Sequence, residues 1–263
     1  MRSKIYIITR FNAPCFPTRK DLAERRLDDT WLRERVRLFK KYCYPSVMNQ
    51  SFQYFDWIVW CHPDSPDWLI RELTALENSN IKFIFTGSYY PYLDTDVDTL
   101  VTVRLDNDDM ILEDFMMNIA CYIPTFQMTG LPRQVYSFTN GYRYYDVSTP
   151  KVLRKTLRPD SRFIPEGSLI EAKMHNNPFL TLFANLREKG PGQNFQPTSP
   201  NDHLVYYIDH AKMTDIFPTV YNNDLAAWAW VYHESNTASI KVEVGAKADA
   251  ETILKEFGVG NAK

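Results

Sequence analysis

Three carboxylates and an amide, Asp106-Asn107-Asp108-Asp109, stand directly after the apolar run 99–105. Asp106 and Asp108, one residue apart at the end of such a run, can both reach one hard cation. Mg²⁺ and Mn²⁺ prefer oxygen ligands divided between carboxylates, waters and substrate phosphates. The cluster therefore predicts a divalent metal site shared with a nucleotide diphosphate. The alternative is that it only forms a turn and caps the next helix.

Several other residues are candidates for a general base that deprotonates a hydroxyl. His210 and its neighbour Asp209 rank above Asp202, because residues 204–208 are predicted to form a strand that ends near them. A histidine with a pKa near neutrality can take a proton without a buried carboxylate. Glu166 is the next candidate. The alternative for His210 is a packing role.

Two further features lie at the ends of predicted strands, where site residues tend to occur. His233 follows an aromatic run that contains Trp228 and Trp230. Thr9-Arg10-Phe11 ends the first apolar run and offers a stacking and hydrogen-bonding edge to a nucleoside. The alternative for His233 is an ordinary surface or hydrogen-bonded histidine, which is the usual role of a single histidine. The alternative for Thr9-Arg10-Phe11 is an ordinary loop without a ligand.

The elements that must position these residues alternate in the first half of the chain. Apolar runs without polar alternation predict strands buried on both faces, at 4–9, 55–61, 81–85 and 99–105. Amphipathic spacing predicts a helix that begins at Asp29 or Thr30 and ends at Pro45, and two more at 65–76 and 112–123. This order indicates an α/β sheet. Ligands of such sheets bind beyond the carboxyl ends of the strands, where the acidic cluster lies.

The second half of the chain has a different pattern. Segments 134–138 and 142–147 flank Thr139-Asn140-Gly141, which is a strong hairpin signal. We therefore expect antiparallel strands there. The composition of residues 190–200 predicts a surface loop.

Composition limits the classes of partner. The chain has 263 residues, 44% of them hydrophobic, and a formal net charge of -2 without blocks of like charge, which argues against a nucleic acid partner. The four cysteines stand singly and no signal peptide precedes them, so we expect a cytoplasmic protein. No apolar run approaches the length of a transmembrane segment. Any contact of this protein with a membrane would therefore be peripheral.

The motifs resemble a known family. Thr9-Arg10-Phe11-Asn12, residues 42–50, Arg104 to Asp109 and Asp209 to Lys212 are similar to the bacterial "putative rhamnosyltransferase" family. Together with His233, their order also resembles glycosyltransferase family 2 and its GT-A relatives. The resemblance spans most of residues 1–240.

The resemblance implies a GT-A fold, with a Rossmann-like, mixed, mostly parallel sheet flanked by helices. It implies one domain over residues 1–240, in which 1–124 bind the nucleotide sugar and 125–240 bind the acceptor. Residues 241–263 are then a tail with a short helix. The implied reaction moves a sugar from a nucleoside diphosphate sugar to a glycan or polysaccharide, and only the family's name suggests rhamnose. A non-catalytic carbohydrate-binding or structural protein with the GT-A fold is the alternative.

The resemblance also implies roles for individual residues. Asp106 faces the nucleotide ribose and the metal, Asp108 binds Mn²⁺ or Mg²⁺, and Asp109 lies beside them. His233 completes the metal or diphosphate site, and Arg104 joins Thr9, Arg10 and Phe11 at the nucleotide sugar. One departure concerns the base: family 2 enzymes carry Glu-Asp at the start of a helix, and here only Asn201-Asp202 and Asp209-His210 come near that pattern.

Overall fold

The computed structural model describes residues 1–14, 25–146, 164–175, 177–186, 210–233 and 245–259. Two of the predicted bases, Asp202 and Asp209, and the predicted loop 190–200 lie outside these ranges. In the described part of the chain, no helix has the length and apolar character needed to cross a membrane.

Strands and helices alternate through the first half, as predicted. The strands are β1 (Ser3–Arg10), β2 (Asp56–Cys61), β3 (Ile81–Phe85), β4 (Thr99–Asp106), β5 (Met110–Ile111), β6 (Arg133–Tyr145), β7 (Leu169–Lys173), β8 (Thr181–Asn185), β9 (Thr219–Tyr232) and β10 (Lys247–Ala248). The helices are α1 (Asp29–Leu38), α2 (Tyr44–Met48), α3 (Asp67–Thr74), α4 (Phe115–Thr129), α5 (His210–Ile216) and α6 (Ala250–Glu256). A π-helical turn (Phe39–Cys43) joins α1 to α2, and a 3₁₀ turn lies at Tyr90–Tyr92.

The ten strands of the described residues join one mixed sheet, whose main path is β10-β7-β6-β8-β4-β1-β2-β3. The pairs β3-β2, β2-β1 and β1-β4 are parallel, whereas β8 is antiparallel to both β4 and β6. β9 runs parallel to β6 and pairs with β5. The predicted fold class is therefore confirmed, and the four strands predicted in the first half lie side by side in parallel.

The core lies on both faces of this sheet. Ile5 and Ile7 of β1 pack in one buried cluster, whereas Tyr6 and Ile8 pack in another. Successive side chains of a strand point to opposite faces, so a strand covered on both sides needs apolar residues at every position. This is why β1 shows no polar alternation.

Both predicted ends of the first helix differ from the structure. The cap is Asp28, whose Oδ1 accepts a hydrogen bond of 2.8 Å from the amide of Trp31. The chain does not leave the helical conformation at Pro45, because the π-helical turn bonds the Tyr44 amide to the Phe39 carbonyl. Pro45 then falls in the first turn of α2, where its missing N–H is not required.

The predicted hairpin at Thr139-Asn140-Gly141 is wrong, because β6 continues through it as one strand of 13 residues. Its pairing with β9 shifts register on both sides of Asn140. Gly141 has no positive φ, but a Cβ placed there would lie 2.2 Å from the Trp228 ring. The glycine therefore permits a bulged strand and the close approach of a tryptophan.

We expect Gly141→Ala to lower the free energy of unfolding by about 1–3 kcal/mol, because the added methyl group overlaps the Trp228 ring. Urea denaturation would measure the loss. Gly87→Ala is the control, because no heavy atom lies within 4 Å of its added Cβ. In a Trp228→Leu background the loss should shrink. An equal loss in that background would instead place the cause in the backbone conformation.

The carboxyl-terminal segment packs onto the fold. The side chain of Asp249 caps α6 by accepting hydrogen bonds from the amides of Glu251 and Thr252. Phe257 is fully buried and shares a cluster with Leu38 and Tyr42. The helix within the predicted tail 241–263 therefore rests against α1 and the π-helical turn.

Candidate functional site

The site begins where β1 and β4 end side by side. Arg10 and Asp106 are register partners in the last positions of these parallel strands. Arg10 Nη2 lies 3.7 Å from Asp106 Oδ1, and Arg104 Nη2 lies 3.4 Å from Asp106 Oδ2. The side chain of Asp106 is 24% exposed. A partly exposed carboxylate between two guanidinium groups thus lies at the carboxyl edge, where α/β sheets bind ligands.

Asp108 lies deeper and has two close partners. Its Oδ2 accepts a hydrogen bond of 2.5 Å from Arg35 Nη1 and lies 2.7 Å from His233 Nε2. All three residues are buried. Burial alone would raise the pKa of Asp108, but the charge of Arg35 and the hydrogen bond with His233 outweigh it and hold that pKa below its usual range. Asp108 is therefore a buried, ionised carboxylate.

The two remaining residues of the acidic cluster bind to the backbone. Asn107 Nδ2 donates to the Phe11 carbonyl at 2.9 Å, while its Oδ1 accepts from Arg35 Nη1 at 3.2 Å. Asp109 Oδ1 accepts from the Val231 amide at 3.0 Å. Burial and the charge of Asp108 raise the pKa of Asp109, which favours its protonated form. The role of Asp109 at a metal stays a prediction.

Strand β9 brings His233 to the acidic cluster, across 125 positions of sequence. β5, which follows the cluster directly, pairs with Trp228 and Ala229 of β9. From there β9 runs to Tyr232, and His233 comes next. The Asp109 carboxylate fixes this end of β9 through its bond to the Val231 amide. His233 therefore lies beside Asp108, and its role in a metal or diphosphate site stays a prediction.

A second buried carboxylate ties α1 to the ends of β6 and β9. Asp146 follows β6 and donates its amide to the Tyr232 carbonyl. Its carboxylate accepts hydrogen bonds from Arg37, Lys41 and the Tyr42 hydroxyl. These donors hold its pKa below the usual range although burial acts in the opposite direction. The contact keeps α1, and with it Arg35, in place over the edge.

The other predicted nucleotide contacts are divided between the edge and the core. Thr9 is fully buried, and its Oγ1 accepts a hydrogen bond of 2.9 Å from Trp57 Nε1. The ring of Phe11 packs edge-on against Phe39 in the main core cluster. Of the three consecutive residues, only Arg10 extends toward Asp106. The nucleotide-binding roles of all three stay predictions.

Of the four candidates for the general base, the structure describes the side chain of Glu166 alone. His210 is the first residue of α5, and its side chain lies outside the described part, as do Asp202 and Asp209 entirely. Glu166 is exposed, in a turn that contains Gly167 with φ +80°. None of these residues is placed at the cluster, so the identity of the base stays a prediction.

Arg35 was not among the site residues predicted from the sequence. Its signal was its spacing, because it stands three residues after Leu32 and one before Val36, both on the buried side of the helix. Arginine is rarely buried unless it is paired. An arginine on the apolar side of a helix therefore predicts an acidic partner across the interface.

The profile of the family described as "Putative rhamnosyl transferase" matches residues 4–149. That range contains β1, α1, β4 and the acidic cluster. No curated protein matches the sequence.

Among solved structures, the chain is similar to S. aureus TarS 1–349, with 10% identity and a TM-score of 0.39 over 87% of this chain and 60% of that one. The same TarS segment in complex with UDP gives 9% identity and a TM-score of 0.38, covering 88% and 60% of the two chains. A "putative nucleotide-diphospho-sugar transferase" from Desulfovibrio desulfuricans G20 gives 9% identity and a TM-score of 0.34, covering 88% and 82%. The chain thus spans about 60% of the length of TarS 1–349.

Proposed function

Because the chain belongs to the family described as "Putative rhamnosyl transferase", we propose that it is a glycosyltransferase. It moves a sugar from a nucleoside diphosphate sugar to a hydroxyl of a glycan or polysaccharide. The observation that carries this proposal is the convergence of Arg10, Arg35, Asp106, Asp108 and His233 at the carboxyl edge of β1 and β4. Rhamnose is proposed as the sugar only from the family's description.

The charges at this edge suit a diphosphate. Among the described residues, the guanidinium groups of Arg10 and Arg104 flank Asp106, and that of Arg35 contacts Asp108. Guanidinium groups bind phosphate oxygens in a planar, bidentate manner. The carboxylates of Asp106 and Asp108 lie among these guanidinium groups, so a diphosphate bound here would also meet negative charge. A divalent cation between the diphosphate and the carboxylates would offset that repulsion.

The proposed further cation is Mn²⁺ or Mg²⁺, which when bound neutralises the leaving diphosphate as a Lewis acid. The donors fit such a cation, because the carboxylate of Asp108 is a ligand that Mg²⁺ and Mn²⁺ prefer. The Nε2 of His233 lies 2.7 Å from that carboxylate, and a nitrogen ligand favours the transition metal Mn²⁺ over Mg²⁺. The described residues contain no group of three or more acidic, histidine or cysteine side chains able to hold a metal. Two protein ligands suffice when phosphates and waters complete the set.

We expect a nucleoside diphosphate to stabilise the protein much more with Mn²⁺ than in EDTA, because without the cation its phosphates repel Asp106 and Asp108. At 100 times its Kd, the nucleotide should add about 2.7 kcal/mol. Melting temperatures with a panel of nucleoside diphosphate sugars would measure this and rank the donors. Equal stabilisation in EDTA would contradict the metal requirement.

Two further measurements complete this test. Asp106→Ala should lose the nucleotide effect, whereas Asp64→Ala should keep it, because the side chain of Asp64 is 80% exposed and lies on the loop after β2. Donor hydrolysis, followed with and without EDTA, separates an enzyme from a non-catalytic carbohydrate-binding protein. Stabilisation by nucleotide sugars without any hydrolysis or transfer would favour the latter.

A further inference from the structure

Arg35 contacts the oxygen of Asp108 that also faces His233, the second proposed metal ligand. Its Nη1 lies 2.5 Å from Asp108 Oδ2, and His233 Nε2 lies 2.7 Å from that oxygen. We propose that Arg35 is the counter-ion of Asp108 in the metal-free protein, and that a divalent cation bound with the donor diphosphate displaces it. This exchange rests on the proposed function, since it needs a metal at Asp108.

Electrostatics makes the two states exclusive. A metal ligated by Oδ2 would lie close to the guanidinium that now contacts this oxygen at 2.5 Å. Arg35 and Asp108 are 8% and 7% exposed, so little water screens the repulsion between the two cations. Arg35 must therefore turn away when the metal binds.

The surroundings of Arg35 allow such a turn. The guanidinium lies 4.9 Å from the centroid of the Trp31 ring, which attracts a cation whether or not Asp108 is paired. The Nη1 that donates to Asp108 also donates to Asn107 Oδ1, an uncharged acceptor, at 3.2 Å. Arg35 can therefore leave Asp108 without losing every favourable contact.

One donor of Arg35 is still unused. Its Nε is buried and has no hydrogen-bond partner among the described residues. A buried N–H without a partner is unfavourable, and a phosphate oxygen at this edge would satisfy it. The guanidinium released from Asp108 is thus available to the same diphosphate that brings the metal, as a positioning residue for the donor.

The test is a titration with Mn²⁺, followed by the electron paramagnetic resonance of free Mn²⁺ and by calorimetry. Arg35→Met should bind Mn²⁺ about tenfold more tightly than the wild type or better, because its competitor is gone. Its melting temperature should be lower in EDTA and recover when Mn²⁺ is added. Arg33→Met on the same helix is the control, since Arg33 pairs with Asp29 and stacks on Trp68 at the surface. Its Mn²⁺ affinity should not change.

Arg35→Gln gives the same test if Arg35→Met does not fold, since it removes the charge but keeps an N–H donor for Asp108. Equal or weaker Mn²⁺ binding in both variants, with normal binding in the wild type, would overturn the exchange and leave the proposed function standing. A lack of Mn²⁺ binding in every variant, even with nucleoside diphosphate present, would overturn both the exchange and the metal requirement.

Discussion

Asp108→Ala abolishes sugar transfer and lowers the free energy of unfolding by about 3–5 kcal/mol, the range for breaking a buried ion pair by removing one partner. Transfer is lost because Asp108 is the proposed metal ligand. Stability is lost because Arg35 keeps its charge at a buried position after its carboxylate has gone. A transfer assay and urea denaturation measure the two effects separately.

The double variant Asp108→Ala/Arg35→Met separates stability from chemistry. Removing both charges leaves neither Arg35 nor Asp108 as an unpaired buried ion, so much of the lost stability should return. The coupling between the two substitutions is the interaction energy of the pair. Transfer should stay absent, because the metal ligand is still missing. Wild-type transfer in Asp108→Ala would contradict the metal proposal, and unchanged stability would contradict the ion pair.

The parallel half of the fold was predictable because its signals are local. A strand covered on both faces must be apolar at every position, and β1 and β4 show this over consecutive residues. Once two such strands are parallel neighbours, their ends share an edge, which is why Arg10 and Asp106 meet. This part of the site follows from periodicity and topology alone.

The rest of the site depends on contacts between distant segments. Arg35 meets Asp108 across 73 positions, and His233 meets it across 125. Periodicity places each of these residues on an element but does not specify which elements touch. The resemblance to a family supplied His233. It did not supply Arg35, which only a search for charged residues on apolar helix faces would have found.

The hairpin error has a physical explanation. Asn-Gly between two β segments predicts a tight turn because glycine accepts positive φ. At Gly141 the absence of a side chain instead serves the contact with Trp228, some 87 residues later. The Asn-Gly pattern therefore predicted a turn that uses the conformational freedom of glycine. The packing of Trp228 requires only the small size of this residue.

The general base that deprotonates the acceptor hydroxyl can be identified by comparing sugar transfer in His210→Ala, Asp209→Asn and Asp202→Asn. The true base should lose transfer by about 10²-fold or more while still binding the donor nucleotide, because it acts on the acceptor hydroxyl and not on the diphosphate. We rank His210 and Asp209 above Asp202. His210 begins α5, whose Met213 is buried in the cluster that also contains Ile8 of β1, the strand that ends at Arg10.

The control for the histidine substitution is His175→Ala, because the ring of His175 packs against Tyr221 in the described structure and has no proposed role at the site. Transfer and nucleotide binding are measured in parallel on all four variants. A variant that loses both has lost the donor site and not the base. Near-normal transfer in all three candidates would move the search to Glu166, or to a retaining reaction that needs none of them.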